Sequence, residues 1–131
     1  MTWTKNTRYT VTMRVGESFA IYVTVKDRDG ALVDLTSAKA YLTAREAIDD
    51  ADTTILKRTA NAGGESGEVD ILDQTTYKGQ YRVNLVPADT EDLPHGATYV
   101  YDSWVVLSTG ERLVTIPAAP FVLEPRVTVI P

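Results

Sequence analysis

The chain has 131 residues, which is the size of one domain and enough to bury a core without a covalent staple. It contains no cysteine, so disulfides, thiolate metal sites and cysteine nucleophiles are excluded. The 13 basic and 18 acidic residues leave a net charge of −5, which disfavours binding to nucleic acid. No apolar run reaches the roughly 20 residues of a membrane helix, and the first residues lack a signal-type stretch. We therefore expect no membrane partner and no Sec export.

Residues 1–15 alternate between polar even positions and largely apolar odd positions such as Trp3, Tyr9 and Val11. Such alternation indicates a half-buried strand. Fifteen extended residues would span about 50 Å, which is longer than a small sandwich. We therefore predict an extended arm over residues 1–8 and a first strand over Tyr9–Val15.

The arm is predicted to contact a neighbouring subunit. Its contact residues are expected to be Met1, Trp3 and Tyr9, with Trp3 as the anchor. A tryptophan alone does not offset the entropy of ordering the arm, so backbone pairing with the neighbour's sheet edge is expected as well. At the other end, residues 125–131 are predicted to form a C-terminal tail.

Residues 9–124 are predicted to form the folded domain, with seven or eight short strands. After the first, the strands are expected at 18–26, 39–46, 54–59, 69–71, 81–85, 97–107 and 111–116, and the last of these is expected to resume at 121–123. The two prolines in Pro117-Ala118-Ala119-Pro120 are expected to break the last strand, because proline is confined to edges and bulges. The crossover at 87–96 is expected to hold a helical turn. The core is predicted from Phe19, Ile21, Val23, Leu42, Val83, Leu85 and one of Tyr99 and Tyr101.

Two turn regions favour an immunoglobulin-like (Ig-like) arrangement of these strands. Asp27-Arg28-Asp29-Gly30 lies between alternating segments, which is a strong hairpin signal. The later crossover is predicted to be a structural corner formed by Asp89, Gly96, Tyr99 and Tyr101. One tyrosine hydroxyl there should bond to upstream backbone, as in the corner of Ig-type domains. The predicted fold is thus an all-β, Ig-like β-sandwich of antiparallel strands with an extended N-terminal arm.

No residue pattern predicts catalysis, a metal or a cofactor. Asp27-x-Asp29-Gly30 lacks the third and last ligands of a calcium loop, which favours a β-turn. The aspartates at 49, 50 and 52 are typical of a solvated loop. His95 is the single histidine and no nucleophile motif accompanies it. We therefore predict that the protein is not an enzyme.

The aromatic residues near strand 97–107 leave two interpretations open. Tyr99 and Tyr101 share one strand face, whereas Trp104 has the opposite parity. They fill the core, or they form a platform on which sugars stack. Burial of both Tyr99 and Trp104 would favour a structural protein, whereas exposure of these side chains would favour a binding module.

Several turn and corner residues occur in an order that resembles a phage protein family. The resemblance covers about residues 14–124 and rests on Gly16, Phe19, Asp29-Gly30, Val33-Asp34-Leu35-Thr36, Gly79, Tyr81, Asp89-Thr90, Leu93, Gly96, Tyr99-Val100-Tyr101-Asp102 and Gly110. The resemblance is to the Ig-like domain of phage baseplate upper proteins and to small tail, neck and capsid-associated proteins of tailed phages.

That resemblance implies a non-enzymatic structural protein of a tailed-phage virion. It would be a building block, adaptor or decoration subunit, made in the host cytoplasm and located in the virion. Its partners would be other virion proteins and copies of itself, with no nucleic acid bound. Capsid, neck, tail and baseplate locations all stay open. The alternative is a carbohydrate- or cell-surface-binding β-sandwich module.

Overall fold

The computed structural model describes residues 9–46, 54–60, 69–91, 93 and 97–127. This part of the chain forms eight strands: β1 Val11–Arg14, β2 Phe19–Thr24, β3 Lys39–Arg45, β4 Thr54–Ala60, β5 Val69–Ile71, β6 Gln80–Leu85, β7 Ala97–Val106 and β8 Arg112–Glu124. A three-residue 3-10 turn, Pro87–Asp89, lies between β6 and β7. The predicted all-β fold is confirmed.

The strands form two sheets with the order of an Ig-like sandwich. One sheet has the order β1-β8-β7-β3-β4 and the other β2-β6-β5. These orders match the two sheets of an Ig domain when β2 to β8 stand for its strands B, C, C′, D, E, F and G. Neighbouring strands are antiparallel apart from β1 and β8, which pair in parallel with Val11 opposite Phe121. The prediction of purely antiparallel strands is wrong at that pair, because β1 and β8 run in the same direction along the sheet.

The core lies between the sheets and is built by the residues whose alternation predicted it. Ile21, Val23, Leu42, Val83 and Leu85 are buried, as predicted. Both Tyr99 and Tyr101 are buried, where one was expected. Phe19 is only partly buried, because it begins β2 at one end of the sheet. Burial of each large apolar side chain contributes about 1.5–3 kcal/mol.

The last strand is continuous, contrary to the predicted break at its prolines. β8 runs from Arg112 to Glu124 through Pro117 and Pro120. Proline is tolerated there for two reasons. β1 pairs only with residues 121–124, so the proline segment has β7 alone as a paired neighbour in the described chain. The β7–β8 register also shifts there, since Tyr101 pairs with Ala119 and Ser103 with Ile116, which is a bulge.

The hairpin predicted at residues 27–30 is confirmed by its hydrogen bonds. The Asp27 carboxylate Oδ1 accepts from the backbone N–H groups of Asp29 and Ala31, each at 2.9 Å. Lys26 pairs with Leu32 across the turn, and Gly30 has a φ of 85°. This carboxylate oxygen is thus occupied in shaping the turn.

The N-terminal segment is shorter as a strand than predicted, since β1 begins at Val11 and not at Tyr9. The arm at 1–8, the aspartates at 49, 50 and 52, His95 and residues 128–131 of the tail lie outside the described residues.

Candidate functional site: the outer face of the five-stranded sheet

The outward side chains of β3, β7 and β8 form rows that cross the sheet. Strand register places Lys39, Val106 and Arg112 in one row. The next row holds Tyr41, Trp104 and Val114, and a third holds Thr43 and Asp102. A concave groove of about 700 Å³, which we term the sheet groove, lies over these rows. The residues of the three rows other than Val114 line it, together with Ser37, Leu107, Ser108 and Gly110.

Trp104 is the most prominent side chain of the sheet groove. It is 41% exposed, and its indole Nε1 donates a hydrogen bond to Asp102 Oδ2 at 3.0 Å. This bond satisfies the indole donor and holds the ring in one orientation. Val114 on the neighbouring strand is 51% exposed, so the row presents apolar surface to solvent.

Two cations lie beside the aromatic row. Lys39 and Arg112 are exposed and flank Val106 on either side. In the described ranges no carboxylate lies within salt-bridge distance of either one. The groove therefore combines an exposed aromatic ring with unpaired positive charge.

The structure separates Trp104 from the two tyrosines, as strand parity predicts. Tyr99 and Tyr101 face the core, so the three aromatics form no common platform. Tyr41 and Val114 were not identified from the sequence. Because Ala40 and Leu42 face inward, alternation along the strand predicts that Tyr41 faces outward. Its contact with Trp104 could not be predicted in the same way, because it depends on the register between two strands whose paired residues are 63 positions apart in the chain.

The hydroxyl of Tyr101 fixes the start of the first strand. It donates to the backbone carbonyl of Tyr9 at 2.6 Å, and its ring meets Phe121 edge-on at 6.0 Å. The predicted corner bond was one that pins the crossover before β7. The partner lies instead beside β1, because β1 packs along β8 at this end of the sandwich. Tyr9, predicted as a subunit contact, is half-buried and packs against the core of its own chain.

The corner after β6 is held by Asp89 and Thr90. Asp89 Oδ2 accepts from the backbone N–H of Val86 at 2.7 Å and so closes the 3-10 turn. Thr90 is buried, and its hydroxyl oxygen accepts from the backbone N–H of Gly16 at 2.8 Å, which ties the corner to the β1–β2 turn. Sequence reasoning missed this role of Thr90, since its partner is 74 residues away. Met1, Trp3 and Gly96 lie outside the described residues.

The Thr90 bond gives a first testable prediction. We expect Thr90→Val to lower the free energy of unfolding by about 1–2 kcal/mol, because the shape is kept while the partly buried N–H of Gly16 loses its acceptor. Urea denaturation measures the change. Thr24→Val, at an exposed position of β2, is the matched control and should change stability by less than about 0.5 kcal/mol. Equal effects of the two substitutions would contradict the assigned role.

A buried chain of hydroxyl groups lies directly beneath the aromatic row. Ser103 Oγ donates to the carbonyl of Tyr41 at 2.8 Å. The Tyr81 hydroxyl lies 2.5 Å from Ser103 Oγ and 2.6 Å from Thr115 Oγ1. Because Ser103 uses its single proton on Tyr41, Tyr81 must donate to Ser103 and accept from Thr115. The network thus joins the two sheets and supports the backbone below the groove.

Because these tyrosines are buried, the free energy of unfolding is expected to decrease at alkaline pH. Desolvation raises the pKa of Tyr81, Tyr99 and Tyr101 above the ordinary value near 10. A raised folded-state pKa means that the unfolded chain loses its protons first. The stabilisation is therefore complete below pH of about 10 and is lost as the pH rises beyond that value.

We expect an alkaline titration to show this linkage. Part of the tyrosinate absorbance of the seven tyrosines should appear only together with the loss of β-structure in circular dichroism, above pH of about 10. Ionisation of all seven with the fold intact would contradict the assigned burial.

Within the described part of the chain, no group of three or more His, Cys, Asp or Glu side chains is placed to hold a metal ion. Among the same residues, no helix is long and apolar enough to cross a membrane.

Comparison with known proteins assigns the chain to no family. No family model matches the chain, and no curated protein matches it. Among solved structures, it is similar to AggA, the major subunit of aggregative adherence fimbriae type I from Escherichia coli. The match has 17% sequence identity and a TM-score of 0.33, and covers 88% of this chain and 89% of the fimbrial one. A match of this degree supports no inference about fold or function.

Proposed function

We propose that this chain is a non-enzymatic structural protein of a tailed-phage virion. It acts there as a small Ig-like adaptor or decoration subunit that docks on neighbouring virion proteins and on copies of itself. The observation that carries the proposal is an open sheet edge on a rigid, well-packed sandwich.

The open edge belongs to β2. This strand is the last in its sheet, and in the described residues only β6 pairs with it. Tyr22, in the middle of the strand, is 65% exposed. An unpaired edge offers backbone N–H and C=O groups to a strand of another chain. Docking by strand addition therefore suits β2.

Several residues of the family resemblance set turns of this fold. Gly30, Gly79 and Gly110 all have positive φ angles, and Asp34 accepts from both the N–H and the hydroxyl of Thr36. Asp89 closes the corner before β7. A shared set of turn residues supports a shared fold with the phage domains, and the virion role is the proposal built on it.

Reconstitution on particles tests the proposal. Purified chain is added to particles from phage in which its gene is deleted, and bound protein is measured after sedimentation. We expect saturable binding that Tyr22→Lys weakens, because a charge at an edge strand opposes strand addition. Tyr77→Lys, at an exposed turn residue, is the control and should bind normally. Failure of the unaltered chain to bind would contradict the proposal.

The predicted arm is tested in the same assay. Deletion of residues 1–8 should leave the domain folded and weaken its incorporation into particles. Undiminished incorporation of the shortened chain would show that the contacts assigned to Met1 and Trp3 are wrong.

One observation favours the alternative of a carbohydrate-binding module. Burial of both Tyr99 and Trp104 would have favoured a purely structural protein. The two residues differ in their exposure to solvent. Tyr99 is buried, whereas Trp104 is 41% exposed in a groove. An exposed, oriented indole is the kind of side chain on which sugars stack.

A further inference from the structure

We propose that the sheet groove binds an acidic carbohydrate, a glycan that contains uronic or sialic acid residues. One sugar ring stacks on Trp104, and its carboxylate is held by Lys39 and Arg112. This inference goes beyond the docking function proposed above and does not depend on it, since it uses a different surface from the β2 edge.

The stacking surface is already organised in the free protein. The bond from Trp104 Nε1 to Asp102 fixes the indole while 41% of the side chain stays exposed. A fixed ring loses little conformational entropy when a ligand binds. Its π-face also carries partial negative charge, which attracts the polarised C–H groups on the face of a sugar ring.

The cations are placed to receive a carboxylate. Lys39 and Arg112 lie in the row next to Trp104, about 7 Å along the strands, which is the spacing of two residues. They stand on opposite sides of β7, so their backbones are about 10 Å apart and their long side chains can converge over Val106. In a chain of net charge −5, two exposed cations on one face that have no acidic partner among the described residues favour an anionic ligand.

The remaining polar groups favour a sugar over an acidic peptide. Asp102 uses Oδ2 for the indole, and within the described chain its Oδ1 has no hydrogen-bond partner. Sugar hydroxyls can donate to that oxygen, whereas the ionised side chains of an acidic peptide have no proton to donate to it. Hydroxyl groups of Ser37, Thr43 and Ser108 also line the groove. The surface is concave, which suits a glycan chain better than a flat protein interface.

Isothermal titration calorimetry on the full chain tests the proposal. The probes are trigalacturonate and sialyllactose, each compared with its carboxyl methyl ester, which keeps the ring and removes the charge. We expect at least one acid to bind, with affinity on the order of tenfold or more above that of its ester, and to bind more weakly at high salt. An oligoglutamate peptide is the acidic control without a sugar.

Substitutions assign the binding to the groove. Trp104→Ala, and separately the pair Lys39→Gln and Arg112→Gln, should each lower the affinity by about tenfold or more. Tyr22→Ala, at an exposed aromatic of the other sheet, should leave it unchanged. Thermal melts followed by circular dichroism establish that every variant is folded.

Three results would overturn the proposal: no binding of either acidic sugar, equal binding of acid and ester, or equal binding of oligoglutamate. The last would identify the groove as a docking surface for acidic protein segments. None of these results bears on particle binding through the β2 edge, so the two proposals fail separately.

Discussion

Replacing Gly79 with alanine is expected to lower the free energy of unfolding by roughly 3 kcal/mol or more. Gly79 has a φ of 80°, which costs a residue with a side chain about 1–2 kcal/mol. A Cβ at this position would also lie 2.9 Å from the carbonyl oxygen of Val25 and 3.3 Å from that of Val33. Both contacts are with backbone, so relief requires the segments around Val25 and Val33 to move, and overpacking of this kind adds about 1–3 kcal/mol.

Two other glycines provide matched controls for Gly79. Gly30 and Gly110 have φ angles of 85° and 89°, and a Cβ at either would have no neighbouring atom within 4 Å. Gly30→Ala and Gly110→Ala should therefore show the conformational cost alone, about 1–2 kcal/mol. Urea denaturation of the three variants measures the difference. Equal losses would show that close backbone approach at Gly79 has no energetic role.

Gly79 matters because it joins three segments at one point. Its carbonyl accepts from the N–H of Val25 at 2.7 Å, and its own N–H donates to Gln74 Oε1 at 2.9 Å. The same Gln74 oxygen accepts from the N–H of Leu35 at 2.9 Å. The turn before β6 is thus fastened to the segment that leads into β3.

The second large effect is expected for Tyr81→Phe, at about 2 kcal/mol of lost stability. The substitution keeps the buried ring and removes the hydroxyl that donates to Ser103 and accepts from Thr115. Buried groups that lose their partners cost about 1–3 kcal/mol. Thermal or urea unfolding measures the loss, and Tyr77→Phe, at a half-exposed turn residue, should change stability by less than about 0.5 kcal/mol.

A double-mutant cycle separates the network from simple packing. If Tyr81 and Ser103 act through their hydrogen bond, Tyr81→Phe and Ser103→Ala should be coupled by about 0.5–3 kcal/mol. Additive losses would contradict the directed chain of hydroxyl groups beneath the sheet groove.

Periodicity alone predicted much of this fold. The alternation in residues 19–25 and 81–85 placed most of the core correctly, because side chains of a strand face opposite sides in turn. The Asp27–Gly30 hairpin could also be predicted from the sequence, since an aspartate carboxylate can accept hydrogen bonds from the backbone of the turn that follows it. Both features depend on residues that are near neighbours in the chain.

The features that sequence reasoning missed depend on distant partners. The parallel pairing of β1 with β8 joins residues 110 positions apart, and it also leaves the proline segment of β8 beside one paired strand. Thr90 and Ser103 are polar residues that become buried because a partner from another strand or turn satisfies them. Nothing in the local pattern distinguishes them from exposed hydroxyl residues.

Only part of the sheet groove could be predicted from the sequence. Strand parity separated Trp104 from Tyr99 and Tyr101 but left open which of the two strand faces is exposed to solvent. The structure shows that Trp104 lies on the outer face. The row that it forms with Tyr41 and Val114 requires the register of three strands. A one-residue slip of either neighbour would turn that neighbour's side chain inward, so the row could be recognised only in the folded chain.

Quantitative mass spectrometry of purified phage particles tests the central claim most directly. Particles are isolated from a lysate of cells that carry this gene and are induced to produce phage, and the chain is counted against the major capsid protein. The proposed role predicts a fixed number of copies per particle that survives repeated gradient purification. A chain that is abundant in the lysate and absent from the purified particles would contradict the account.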